Sequence, residues 1–304
     1  MSVRLSIVVV VHRMSRQAEN TLRSFAAPYQ LHMDPADFEI IVVENESEDL
    51  LGEERACAIA PNIRFFLRAN EGRSPVPALV FGIGEARSDH LGLVIDGARM
   101  VTPRVLHYAS AAFRITEDAV VAIPGYHLGA NEQHRNPGHD EEVERRLLAR
   151  INWLTDGYRL FEVSTFFRGR HQHGYLLPLM ESNCVFFSRS AYEQIGGVET
   201  RFDMVGGGMV NLDLYKRLVE RRGAQLFVTP GEGTFHQFHG GVTTTASDDR
   251  EDLLAAFRDQ YAQIRGTHYT FAETPHRLLG AVTGWALPAL EFSSSYALRT
   301  QVPP

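Results

Sequence analysis

Asp96 ends an apolar run, HLGLVIDGARMVTP from His90 to Pro103, and a carboxylate in that position can hold a metal ion or hydrogen-bond a ribose. Leu91, Leu93, Val94 and Ile95 read as a strand buried on both faces. Asp96 and Gly97 then emerge at its carboxyl end, where open α/β sheets bind ligands. Asp-Gly is also an ordinary turn pair, and the run taken alone leaves both readings open. Other strand-like runs are followed by polar groups too: His12 and Arg13, Glu44 and Asn45, and Asn70 to Arg73. If the strands are parallel, these residues and Asp96 share one crevice. No GxGxxG follows the first strand and no GxxxxGK[ST] occurs anywhere, so neither the dinucleotide fingerprint nor a P-loop explains it.

The elements that must position this crevice alternate. Ser6 to Val11 reads as a strand, and Ala18, Leu22, Phe25 and Ala26 follow at helical spacing with Ser15 as N-cap. Phe38 to Val43 is a second strand, Asp49 to Ala60 a weaker helix, Ile63 to Leu67 a third strand and Val76 to Ala86 a good helix. Thr102 as N-cap and Pro103 at the first helical position open a helix through Phe113, and Ala119 to Ile123 is a further strand. This alternation predicts an α/β fold: a Rossmann-like, mostly parallel sheet with helices on both faces.

A chain of 304 residues, 44% of them hydrophobic, can bury a large core. Its net charge of −7 excludes a surface of clustered Lys and Arg for nucleic acid, so small molecules are the expected partners. Cys57 and Cys184 have neither CxxC spacing nor the density of a disulfide framework and read as buried thiols in a reducing, cytoplasmic compartment. The apolar run Ile7 to Val11 is too short for a signal peptide. Leu278 to Leu290 is too short to span a bilayer, which takes about 20 apolar residues. It is expected to pack on the core or a second copy first, and to make peripheral membrane contact second.

Four segments carry a family resemblance. SIVVVVHRM resembles the opening strand of family 2 glycosyltransferases with the GT-A fold, VVENESED their VDNGSTD, and VIDGA the site of their DxD metal motif. ESNCVFFSRSAYEQIGGVETRFD is similar to the acceptor-side stretch that leads to GGFDE, and GGGMVNLDLYKRL to the segment ending in EDxDLxxR. The resemblance covers roughly residues 3 to 240, with the motifs in family order. It implies a nucleoside diphosphate sugar as donor, a UDP-sugar first.

Carried over residue by residue, the resemblance gives Glu44 the nucleobase hydrogen bond, His12 the stacking position and Arg73 a phosphate. Asp96 takes the place of the first metal-motif acid, but Ala98 stands where the second would be, with Arg99 behind it. In the resembled fold a histidine from the C-terminal segment often completes the shell, which points to His236 or His239 in TFHQFHGG and to Mn or Mg as the cofactor. A metal-independent alternative has Arg99 supplying the positive charge. The catalytic base is the larger departure. Val210 and Asn211 stand on the acidic pair, and Asn211 reads as the N-cap of a helix Leu212 to Arg222 stopped at Gly223. That leaves Asp213, of the matching DL pair, with Glu181 and Asp203 as the other candidate acids, and a retaining path that needs no base remains open.

Tyr126 to Pro178 is the least family-like stretch, with an Arg- and Glu-rich helix from about Asp140 to Leu154 and the His171 and His173 pair. It reads as an acceptor-binding or oligomerisation flap, with metal ligation by HQH as the alternative. The expected division is 1–124 for nucleotide-sugar binding, 125–240 for the acceptor side and 241–304 for a C-terminal helical extension. The acceptor is a glycan, lipid-linked or small-molecule hydroxyl. The lost acids also permit a degenerate GT-A protein that binds a nucleotide sugar or a partner without transfer.

Overall fold

The structure is a computed structural model that describes residues 3–69, 74–130, 136, 138–167, 173–239 and 250–301. Its first half alternates as expected: β1 (Leu5–Val11), α1 (Ser15–Phe25), β2 (Phe38–Asn45), α2 (Glu53–Cys57), β3 (Ile63–Arg68), α3 (Val76–Glu85) and β4 (His90–Val94). There follow β5 (Arg99–Val101), α4 (Val105–Ile115), β6 (Ala119–Ala122), β7 (Gly125–Leu128), α5 (Glu141–Ala149) and β8 (Ser164–Phe166). The remainder comprises β9 (Cys184–Ser188), α6 (Arg189–Gln194), α7 (Val210–Glu220), β10 (Gln225–Val228), β11 (Thr234–His236), α8 (Arg250–Arg265), β12 (His276–Leu278) and α9 (Leu287–Gln301).

Eight strands form the central sheet in the order β12-β10-β6-β9-β4-β1-β2-β3. Every neighbouring pair is parallel except those made by β9, which runs against both β4 and β6. Branched side chains make the sheet two-sided: Ile40 and Val42 of β2 share a core with Leu22 of α1 and Ala56 of α2, while Ile41 and Val43 share the other core with Leu79 of α3. Glycine allows one of these contacts. A Cβ on Gly82 of α3 would lie 2.5 Å from Val8 Cγ1, so the helix can approach the sheet only without one.

A second sheet, β5-β11-β7-β8, stands at the end of the first and consists of strands of three or four residues. Its needs explain where the local readings miss. Thr102 does not cap a helix: its hydroxyl accepts from Gly233 N at 3.0 Å, its own N–H donates to Gly233 O, and α4 begins at Val105. Asn211 lies inside α7, which starts at Val210, and its amide donates to Asn183 Oδ1 at 2.8 Å. The inserted helix is shorter than expected, and Asp140 caps it by accepting from Val143 N. Cys184 is buried, whereas Cys57 is exposed. Among the described residues no helix is long and apolar enough to cross a membrane.

Candidate active site

Asp96 lies just past β4 on the carboxyl edge of the parallel strands, and its two oxygens do different work. Oδ1 accepts from Ala98 N at 3.0 Å and closes the turn; Oδ2 faces His236 Nε2 at 3.2 Å, His239 Nε2 at 3.4 Å and Arg99 Nε at 3.5 Å. The turn of Asp-Gly therefore forms through Oδ1 and leaves Oδ2 facing the two imidazoles. Gly97 is required for room, because a Cβ there would lie 2.9 Å from Val11 Cγ2.

Strand register brings the partners in. On β11, His236 lies opposite Arg99 of the antiparallel β5 and beside His127 of the parallel β7, with the His127 and His236 rings 5.3 Å apart. The loop after β11 then folds so that alternate side chains part company. His236 and His239 turn towards Asp96, with their Nε2 atoms 3.0 Å apart. Gln237 turns to α1, donating to Gln17 O at 2.9 Å and accepting from Asn20 Nδ2 at 2.9 Å, while its N–H reaches Ala98 O. Phe238 donates to Glu144 Oε2 of α5 at 2.6 Å and accepts from Gln17 Nε2 at 2.6 Å.

The three facing atoms, Asp96 Oδ2, His236 Nε2 and His239 Nε2, form a triangle with edges of 3.0, 3.2 and 3.4 Å. Two ligands at right angles on a small divalent ion, each about 2.1 Å from it, stand about 3.0 Å apart, so the triangle has the size of one face of a coordination shell. The charges suit it at His236 and Asp96, whereas His239 must give up a proton to hold a cation. Burial and the Arg99 charge push His236 down to about 3, leaving a neutral imidazole. Burial would raise Asp96, but His239, His236 and Arg99 hold its carboxyl well below the usual range. Burial also opposes a charge on His239, yet the Asp96 carboxylate outweighs it and raises the ring above its ordinary value. These residues fit a divalent cation held by one carboxylate oxygen and two imidazoles.

Glu44, expected from the resemblance to meet a nucleobase, has both carboxylate oxygens hydrogen-bonded within the chain. It is buried at the end of β2, and its two oxygens accept from Leu51 N at 2.8 Å and Gly52 N at 2.9 Å. Burial raises its carboxyl despite those amides. It therefore builds the loop that follows the strand. Asn45, one residue on, is buried with its Oδ1 unpartnered among the described residues, an acceptor the motif comparison passed over. His12 is exposed at the end of β1, and Arg13, with φ 55°, pairs with Glu48. Arg73, like Asn70 and Gly72, lies outside the described residues. Glu44→Ala frees two loop amides and is expected to weaken nucleotide binding about tenfold to hundredfold, roughly 1.5–3 kcal/mol. Titration of UDP into the variant checks this, and unchanged affinity removes Glu44 and its loop from the site.

The three candidate bases separate sharply. Asp213 is 1% exposed in the first turn of α7 and clamped by two guanidinium groups. Arg217 Nε reaches Oδ2 at 2.8 Å, and Arg265 of α8 reaches Oδ1 and Oδ2 at 2.7 Å each. Arg217 also donates to Ile195 O and Gly197 O. Both oxygens of Asp213, the acid expected as the base, are engaged by guanidinium groups and tie α7, α8 and the turn after α6 together. Asp203 is exposed and accepts from Gln260 Nε2 of α8 at 2.7 Å. Glu181 is buried ahead of β9 within electrostatic reach of Arg99, which faces Asp96. His171 lies outside the described residues, and the His173 ring packs 5.7 Å from Tyr296.

Sequence reading missed Glu144. It is wholly buried, paired with Arg16 at 2.9 Å and raised by burial to about 7. Its only sequence signal is that it shares a helix face, four residues apart, with the buried Leu148.

No protein-family model and no curated protein matches the chain. Among solved structures it is similar to S. aureus TarS 1-349 in complex with UDP, with a TM-score of 0.50 and 11% identity over 86% of this chain and 72% of that one. It is also similar to the mannosyltransferase PcManGT from Pyrobaculum calidifontis in complex with GDP-Man and Mn2+, with a TM-score of 0.51 and 14% identity over 100% of this chain and 77% of that one. At such identities the likeness is one of fold: a mixed α/β architecture with a mostly parallel sheet, shared with GT-A glycosyltransferases.

Proposed function

We propose that this protein is a glycosyltransferase that moves a sugar from a nucleoside diphosphate sugar, a UDP-sugar first, to an acceptor hydroxyl with the help of Mn or Mg. The observation that carries the reading is the convergence of Asp96, His236 and His239 within 3.4 Å on the carboxyl edge of a parallel sheet. The UDP complex of one structural neighbour and the GDP-Man and Mn2+ complex of the other support the donor class. The acceptor is a glycan, lipid-linked or small-molecule hydroxyl, the inserted segment from 125 onwards is its binding side, and the compartment is cytoplasmic.

A cation on Asp96, His236 and His239 would bind the diphosphate and neutralise the charge that develops on it as a leaving group. This chain's own groups do the rest. Arg99, whose guanidinium faces Asp96 Oδ2, adds charge beside the leaving group. The loop built on Glu44, with His12 at the end of β1, receives the nucleoside, and the phosphate role of Arg73 rests on the family resemblance alone. Glu181 is the preferred base: burial and position near Arg99 suit a carboxylate that takes the acceptor proton. Asp203 is the alternative.

Glu181→Gln is expected to keep donor affinity and lose roughly 100-fold or more in transfer, about 2.7 kcal/mol, whereas Asp203→Asn keeps both. Near-normal transfer in both variants replaces the side-chain base with a retaining path. A second reading, a GT-A protein that binds without transfer, is favoured by the clamped Asp213 and by Val210 and Asn211 on the usual acidic pair. Titration with UDP, GDP and dTDP sugars, with and without Mn2+, separates the two. The enzyme slowly hydrolyses its donor, and a binder does not.

A further inference from the structure

We infer that Glu144, on the inserted helix α5, is a positioning residue for the cation site, fixing the backbone that carries His236 and His239. The inference rests on the cation reading proposed above. Phe238 is the residue directly before His239, and both of its backbone polar groups are held by side chains. Its N–H goes to Glu144 Oε2 at 2.6 Å and its carbonyl to Gln17 Nε2 at 2.6 Å. One holder comes from α5 and the other from α1, so the peptide is gripped from two elements that belong to different parts of the fold.

A purely packing role is a poor account of the acid. The Glu144 side chain is 0% exposed, and Arg16 meets its other oxygen at 2.9 Å. A buried ion pair is often no more stabilising than apolar residues of similar volume, and Leu148 on the same face shows that an aliphatic side chain packs there. An aliphatic group would leave the Phe238 N–H without its acceptor. The two Nε2 atoms stand 3.0 Å apart on residues separated by Gln237 and Phe238 alone, so a turn of the Phe238 peptide moves one imidazole against the other. Outer partners of this kind, which orient ligands without touching the ion, typically govern metal affinity by 10–100-fold.

The test is calorimetric titration of Mn2+ alone into the full chain, below each variant's melting temperature. Glu144→Gln keeps an oxygen for the Phe238 amide and is expected to bind Mn2+ within about threefold of wild type. Glu144→Leu is expected to bind roughly 10–100-fold more weakly. His236→Ala is expected to show no binding. A Glu144→Leu variant that melts earlier but keeps the wild-type Mn2+ affinity overturns the inference and makes the residue merely structural. Equal losses in Gln and Leu overturn it too, because the amide acceptor then has no part. If Glu144→Leu does not fold, Gln17→Leu removes the shorter of the two hydrogen bonds to the Phe238 carbonyl, leaving Arg16 at 3.4 Å, and is expected to weaken Mn2+ binding about fivefold, and an unchanged affinity there counts against the grip. Wild-type protein that binds no Mn2+, with or without UDP, ends the cation reading and this inference with it. Wild-type binding with a normal Glu144→Leu ends the inference alone.

Discussion

Asp96→Ala is expected to abolish the response of nucleotide binding to Mn2+ and to lower donor hydrolysis and transfer by about a thousandfold. Asp96 is the sole carboxylate of the triangle, and its Oδ2 meets both imidazoles and Arg99. Without it, two imidazoles remain beside the Arg99 guanidinium, with no anionic ligand to offset the charge of a divalent cation. Stabilisation of transition-state charge by a metal contributes several kcal/mol, and about 4 kcal/mol is three powers of ten in rate. Asp96→Asn is the sharper control, since an amide oxygen can still accept from Ala98 N and preserve the turn. It should lose the Mn2+ response nearly as fully. Chelation of wild-type enzyme should have the same effect as the substitution. If chelated wild type turns over normally, Asp96 is not a ligand and Arg99 carries the leaving-group charge, which Arg99→Met would then remove.

Asp213→Asn is expected to damage the fold far more than the chemistry. The carboxylate is shared by Arg217 and Arg265; removing one partner of a fully buried ion pair costs about 3–5 kcal/mol, and the loss here is smaller because Arg265 keeps Glu199 and Arg217 keeps the Ile195 and Gly197 carbonyls. The melting temperature should fall by several degrees, and α8 should loosen from α7, which limited proteolysis would reveal. Transfer by protein that remains folded should be close to normal. The opposite pattern, normal melting with transfer lost, would return Asp213 to the role of base.

These two acids mark what a sequence can and cannot disclose. The parallel core was legible because β1 to β4 are runs of branched residues between helical patterns, a signal that depends only on near neighbours. The backward run of strand β9 was not legible, for direction is set by where the chain re-enters the sheet. The short strands β5, β7, β8 and β11 carry three or four residues each, too few for periodicity to register, and Thr102 was misread as a cap because its partner, Gly233, is far along the chain. Asp213 looked catalytic from its DL context, while the guanidinium that neutralises it on the far side comes from Arg265 on another helix. His236 and His239 were reached through family likeness, and their meeting with Asp96 is a matter of strand register.

The reversed direction of β9 has a consequence for how such a protein can change. Because β9 lies beside β6 and antiparallel to it, with Val120 opposite Phe187 and Ala122 opposite Val185, everything between residues 123 and 183 is topologically the loop of one hairpin. Closing a loop costs only about 0.6 kcal/mol more for each doubling of its length. The excursion can therefore lengthen, shorten or be exchanged while the strands at its two ends keep their places, and specificity for a new acceptor can be drafted without redrawing the donor side. That freedom ends where the excursion is sewn to the rest: at β7, which pairs with β11, and at α5, where Glu144 accepts from Phe238 N and pairs with Arg16 and Glu141 accepts from Gln17.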